Sequence, residues 1–124
     1  MIEKTIIEYL NVEKTIIEYL NEELDVPCYL EIPGKPPVTF VAVEKTGSSE
    51  ENMIISSTFA VQSYAGSMVE AIELNEAVKD TMRKIVELDS IAACDLNSDY
   101  NFTDTVSKRY RYQAVFDIKS YRRR

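Results

Sequence analysis

The sequence predicts an α+β fold: the element order is α-β-β-β-α-β-β, with a mostly antiparallel sheet, long hairpins and helices packed on a face. Three observations predict it. Arg109–Tyr121 alternates along its whole length, with Tyr110, Tyr112, Ala114, Phe116 and Ile118 facing one way and Arg109, Arg111, Gln113, Asp117 and Lys119 the other. A capped amphipathic helix begins at Ser67. A segment rich in Glu, Lys, Ile and Leu opens the chain and favours helix.

That opening segment is a tandem repeat. Residues 2–11 read IEKTIIEYLN and residues 12–21 read VEKTIIEYLN. A ten-residue shift at ~100° per residue turns the apolar stripe of the second copy by about 80° from the first. One helix cannot aim both stripes at one narrow groove. The second copy is expected to pack on its own domain, and the first to extend the helix and offer Ile6, Tyr9 and Leu10 to a neighbour.

Val26–Ile32 reads as a short strand that Pro27 confines to an edge or a strand start. Residues 33–37 (PGKPP) form a rigid loop. Val38–Lys45 is apolar on both faces, as in a central strand. Thr46–Asn52 reads as a polar connection. Met53, Ile55, Phe59 and Val61 then alternate along a half-buried strand that closes a long hairpin.

Ser67 and Glu70 form the capping box of the second helix. Its apolar side carries Met68, Ala71, Ile72, Leu74, Val78, Met82 and Ile85, and the helix ends near Leu88. Ile91–Asn97 reads as a strand and Asn97–Ser107 as a polar loop carrying Tyr100 and Phe102. Residues 1–124 are expected to form a single domain, with residues 1–11 a duplicated extension and residues 120–124 a basic tail.

Chemistry is sparsely signalled. The chain lacks histidine, the commonest acid–base side chain. Its three glycines, Gly34, Gly47 and Gly66, build no phosphate-cradling loop. Cys28 and Cys94 are far apart and read as two free, buried thiols. Asp95, Asp99 and Asp104 cluster near the last loop and could hold a cation, although turn chemistry accounts for that region more simply. The expectation is therefore no catalytic residue, no cofactor and no metal. No apolar run approaches the ~18 residues of a membrane span. The charged first twenty residues are unlike a signal peptide, which points to the cytoplasm.

The net charge of −7 is unevenly distributed. Residues 107–124 hold seven bases and one acid, against seven bases and 20 acids in the rest. Such segregation marks a charged interface or a basic tail. The mixture of Arg109 and Arg111 with Tyr110 and Tyr112 suggests a basic–aromatic patch for nucleic acid. Strand alternation, however, sends these tyrosines to the face opposite the arginines, where they serve a core or an interface. The acidic body also opposes binding to a polyanion.

The run Asn97–Thr105 (NSDYNFTDT), followed by Lys108–Ile118 (KRYRYQAVFDI), resembles the C-terminal part of small tail-completion proteins of siphophages and prophages of Gram-positive hosts. Phe40–Asn52 (FVAVEKTGSSEEN), Phe59–Ala65 (FAVQSYA) and the following helix resemble the same family, the tail terminators. The likeness runs from about residue 12 to the end, and the doubled N-terminal segment departs from the family pattern. The resemblance implies a structural virion protein of the head–tail junction. It would form a homo-oligomeric ring, a hexamer in the family, that ends tail-tube polymerisation. Its implied partners are the tail tube protein and a head–tail connector or stopper protein. DNA would pass through the lumen without specific binding. Expected contact residues are Ile6, Tyr9, Leu10, Tyr100, Phe102, Arg109, Arg111, Tyr121, Arg122 and Arg123. A head-completion or stopper subunit and a small nucleic-acid-binding accessory protein are the alternatives.

Overall fold

The computed structural model describes residues 12–107 and 109–121. Ile6, Tyr9, Leu10, Arg122 and Arg123 lie outside the described residues. The observed order is α1 (Val12–Glu23), β1 (Cys28–Tyr29), β2 (Phe40–Glu51), β3 (Ile54–Ala65), α2 (Met68–Arg83), a 3-10 turn (Ile85–Glu87), β4 (Ile91–Asn101) and β5 (Tyr110–Tyr121). This is the expected α-β-β-β-α-β-β order. The five strands run β1-β2-β3-β5-β4 across one sheet, antiparallel except for the β1–β2 pair.

Both helices cover one face. Val12, Ile16 and Leu20 of α1 fall at i, i+4 and i+8 and are buried together with Val78 and Met82 of α2. They pack on Val41, Val43, Phe59, Val61, Ala114, Phe116 and Ile118, the inward alternating positions of β2, β3 and β5. Each of the large side chains contributes roughly 1.5–3 kcal/mol of burial. Tyr19 ties the helices by donating to the Thr81 carbonyl at 2.8 Å. Asn21 fastens α1 to β1, because its amide both accepts from Cys28 N–H (2.9 Å) and donates to Cys28 C=O (3.0 Å).

Several boundaries differ from the sequence reading. β1 is two residues long, with Leu30 and Ile32 exposed beyond it. Thr46–Glu51 is not a connection but the distal half of β2, paired as far as Glu51↔Ile54. The chain reverses in two residues, Asn52 and Met53, both at positive φ (54° and 67°). This is the left-handed pair that a two-residue hairpin requires, so Met53 is a turn residue rather than a strand position. Between Lys45 and Gly47 the register shifts, leaving Thr46 as the extra residue. Asn97–Asn101 likewise belongs to β4, because β5 pairs with it as far as Tyr112↔Asn101.

α2 carries its predicted cap: Ser67 Oγ accepts from Glu70 N–H at 3.2 Å and donates to the Glu70 carboxylate at 3.0 Å. Its buried stripe is Ala71, Asn75, Val78 and Met82, spaced i, i+4, i+7 and i+11. Ile72 lies one residue off that stripe and is exposed, against expectation. Asn75 instead donates to Asp99 of β4 at 2.9 Å, and Lys79 reaches the same oxygen at 2.9 Å. The Lys79 and Asn75 hydrogen bonds hold the Asp99 carboxyl below the usual carboxylate range against the opposing effect of burial. Bonds to Glu76 and Asp99 raise the Lys79 pKa.

Two outcomes follow from these contacts. A methionine at φ 67° is strained by about 1 kcal/mol. Met53→Gly is therefore expected to stabilise the fold by up to about 1 kcal/mol, and Met53→Val to destabilise it by a similar amount. Urea denaturation measures both, and equal stabilities would contradict the left-handed turn. For Asp99 the lowered pKa means stability present above the ordinary carboxylate range and lost as pH falls through the folded value. Asp99→Asn is expected to cost about 1 kcal/mol at pH 7. The gap from the unsubstituted protein should close as the pH is taken below about 4. A gap that persists unchanged in acid would show that the charge is not what matters.

Candidate interaction surface

The face of the sheet that carries neither described helix is ordered by aromatic and arginine side chains. Antiparallel pairing sets Phe40 of β2 opposite Tyr64 of β3, and Tyr64 opposite Arg111 of β5. Phe40 and Tyr64 stack with their rings 4.4 Å apart and 9° from parallel. Tyr29 of β1 meets the edge of Phe40 at 5.8 Å. These three, with Ala42, form a second apolar cluster on this side.

The arginines lie on this aromatic shelf. The Arg109 guanidinium sits 5.2 Å from the Tyr64 ring centre and 5.7 Å from that of Phe40. That of Arg111 sits 4.4 Å from Phe102 and 5.7 Å from Tyr64. Phe102 meets Tyr100 edge-on at 6.0 Å. Arg111 is further held by hydrogen bonds, Nε to the Phe102 carbonyl (2.6 Å) and Nη1 to the Tyr64 hydroxyl (2.9 Å). From Tyr64 a polar chain crosses the sheet. Its hydroxyl donates to Gln62 (3.3 Å), Gln62 donates to Gln113 (2.8 Å), and Gln113 donates to the Tyr100 hydroxyl (2.5 Å). Stacked cations of this kind contribute ~0.5–2 kcal/mol each, and the planar guanidinium suits the geometry.

Four sequence-selected residues, Tyr100, Phe102, Arg109 and Arg111, are thus brought together. Tyr121 is not among them. It ends β5 at the far end of the sheet, half exposed, with its N–H on the Ser90 carbonyl at 3.0 Å. Alternation does separate Arg109 and Arg111 from Tyr110 and Tyr112 along β5. It does not abolish a basic–aromatic patch, because β2, β3 and β4 supply the rings. Tyr110 and Tyr112 themselves stay outside the main core, exposed and half-buried. Sequence reasoning missed Phe40, Tyr64, Gln62 and Gln113. Their signal was the placement of Tyr64 and Gln62 on the strand face opposite Phe59 and Val61.

Among the described residues, neither Arg109 nor Arg111 has a carboxylate at ion-pair distance. A groove of about 280 Å³ lies beside Arg109, with Pro36, Pro37, Val38, Gly66 and Tyr110 in its walls. A second depression, of about 360 Å³, lies between α1 and residues 88–90 that follow the 3-10 turn, and carries Glu18, Glu22 and Asp89.

The three aspartates weighed as a cation site are dispersed. Asp99 serves α2, Asp95 pairs across from Asp117, and Asp104 caps its own turn by accepting from Val106 and Ser107 N–H. Among the described residues no cluster of His, Cys, Asp or Glu is placed to hold a metal. No described helix is long and apolar enough to cross a membrane. No protein-family model and no curated protein matches the sequence.

Cys28 and Cys94 are free, the first buried and the second half-buried. Burial pushes the Cys28 thiol up to about 11, and burial with the nearby Asp95 charge pushes Cys94 up to about 12. Both are thus expected to stay protonated and unreactive toward a thiol-specific reagent at pH 8 in the folded protein, and to react within seconds in urea. Fast labelling of either cysteine in the native state would contradict that placement.

Proposed function

We propose that this chain is a structural subunit of the phage head–tail junction, a tail-terminator-like protein that caps the tail tube as a closed homo-oligomeric ring. The observation that carries the reading is the one-sided sheet. One face is sealed by helices bearing exposed acids: Glu18 and Glu22 on α1, and Glu70, Glu73 and Asp80 on α2. The other presents two arginines, preset on aromatic rings and without a carboxylate partner among the described residues. A subunit with unlike, complementary surfaces on its opposite sides is suited to head-to-tail contacts that close into a ring. The resemblance of Phe40–Asn52, Phe59–Ala65 and Asn97–Ile118 to tail-completion proteins supports the same role, and the α+β order agrees with it. In this reading the ring ends tube polymerisation, offers a joining surface to the connector or stopper, and lets DNA pass without specific binding. It works by assembly, without a catalytic step.

The arginine–aromatic shelf also favours a second reading, a small nucleic-acid-binding accessory protein, since stacked rings beside guanidiniums are what single strands bind. Electron imaging of the purified protein separates the two. Closed rings that co-sediment with tail tubes are the expected result. Rings or subunits that co-sediment with portal-containing heads instead would assign a stopper role. A monomer that retains DNA in a salt-dependent way would overturn the ring.

A further inference from the structure

We propose that the Arg109 groove receives the outer face of α2 from a second copy of this chain, which names the contact on which the ring reading rests. The groove itself defines the occupant. Arg109 and Arg111 both lie within 5.7 Å of the centre of one ring, Tyr64. Two cations held this close repel each other until an anion lies against them. Their planes are already set by Phe40, Tyr64 and Phe102, so little ordering remains to be done on binding. Beside them the groove walls are apolar: Pro36, Pro37 and Val38, the last 73% exposed. The fitting partner presents a carboxylate next to short apolar side chains on a convex element.

The outer surface of α2 has that composition. Val69 and Ile72 are 66% and 38% exposed on a helix whose opposite stripe is buried. Glu73 stands beside them, also exposed and without an ion-pair partner among the described residues. Positions 69, 72 and 73 are i, i+3 and i+4, neighbours on one helical face. Of the subunit's own α2 only the first turn, at Glu70, borders the groove near Gly66 and Val38. The body of the helix packs on the opposite side of the sheet, so the subunit does not fill its own groove with the face of Val69, Ile72 and Glu73. The contact therefore joins two unlike surfaces of two identical chains, and each added copy leaves one of each kind open. Phosphate of a nucleic acid is the competing anion. The net charge of −7 and the proline and valine walls argue against it.

The test is a charge exchange at two exposed positions whose side chains carry no hydrogen bond to a structural partner among the described residues. Arg109→Glu and Glu73→Lys are each expected to weaken self-association by at least about tenfold in sedimentation velocity. The chain carrying both substitutions is expected to recover most of the loss. Single substitutions that leave association unchanged, or a double substitution that recovers nothing, would overturn the docking. If the unsubstituted protein forms rings that are indifferent to both changes, only this contact fails and the ring stands. If it stays monomeric at every concentration, the ring reading fails with it. A monomer whose retention of a fluorescent single-stranded DNA is lost on Arg109→Glu would assign the groove to phosphate and overturn the proposal.

Discussion

The pairing of β5 with β3 runs unbroken over twelve residues, from Ile54↔Tyr121 to Ala65↔Tyr110. Because side chains on a strand alternate with a period of two, this register decides the fate of every residue on β5. Ala114, Phe116 and Ile118 go under the helices, and Arg109, Arg111 and Gln113 go to the other face. A slip by one residue would turn Asp117 and Lys119 toward Val78 and Met82 and expose Phe116. Burying an unpaired charge costs several kcal/mol, so the core and the arginine face enforce the same register.

The two faces are stabilised by different physics. On the helix side the gain is burial of aliphatic and aromatic surface, with Asp99, Asn75 and Lys79 as a polar strut at the rim. On the uncovered side the sheet is spanned by a hydrogen-bonded chain from Arg111 through Tyr64, Gln62 and Gln113 to Tyr100. Such chains fix side-chain orientation more than they add net stability, because water could satisfy the same groups in the unfolded state. What they produce here is a preset surface whose cations face outward.

The legible part of the fold was the part with strong periodicity. Arg109–Tyr121 and the capped α2 helix carried both face and extent. The misread parts share one cause. Thr46–Glu51 and Asn97–Asn101 are exposed for most of their length, so no apolar alternation marks them as strands. Their pairing partners impose the extended form, which no local pattern reports. Asn75 was invisible for a related reason, since its buried place depends on Asp99, twenty-four residues away. At the surface site the arginines were legible and their ring partners were not. Phe40, Tyr64 and Arg111 meet only through the registers of three strands distant in sequence.

A subunit of the proposed ring would also have to limit where it associates. β1 pairs only with Val41 and Ala42, so among the described residues the distal half of β2 is an open sheet edge. Such an edge is a template for any extended chain. Glu44, Lys45, Glu50 and Glu51 crowd this one with charge, and the irregularity at Thr46 breaks its regular hydrogen-bonding row. A second copy approaching edge to edge would bring together two rows that are each net acidic. The β2 edge is thereby a poor template for open-ended strand addition, which builds fibres. In the proposed ring, association would use the arginine face instead, where contacts join unlike surfaces and can close on themselves.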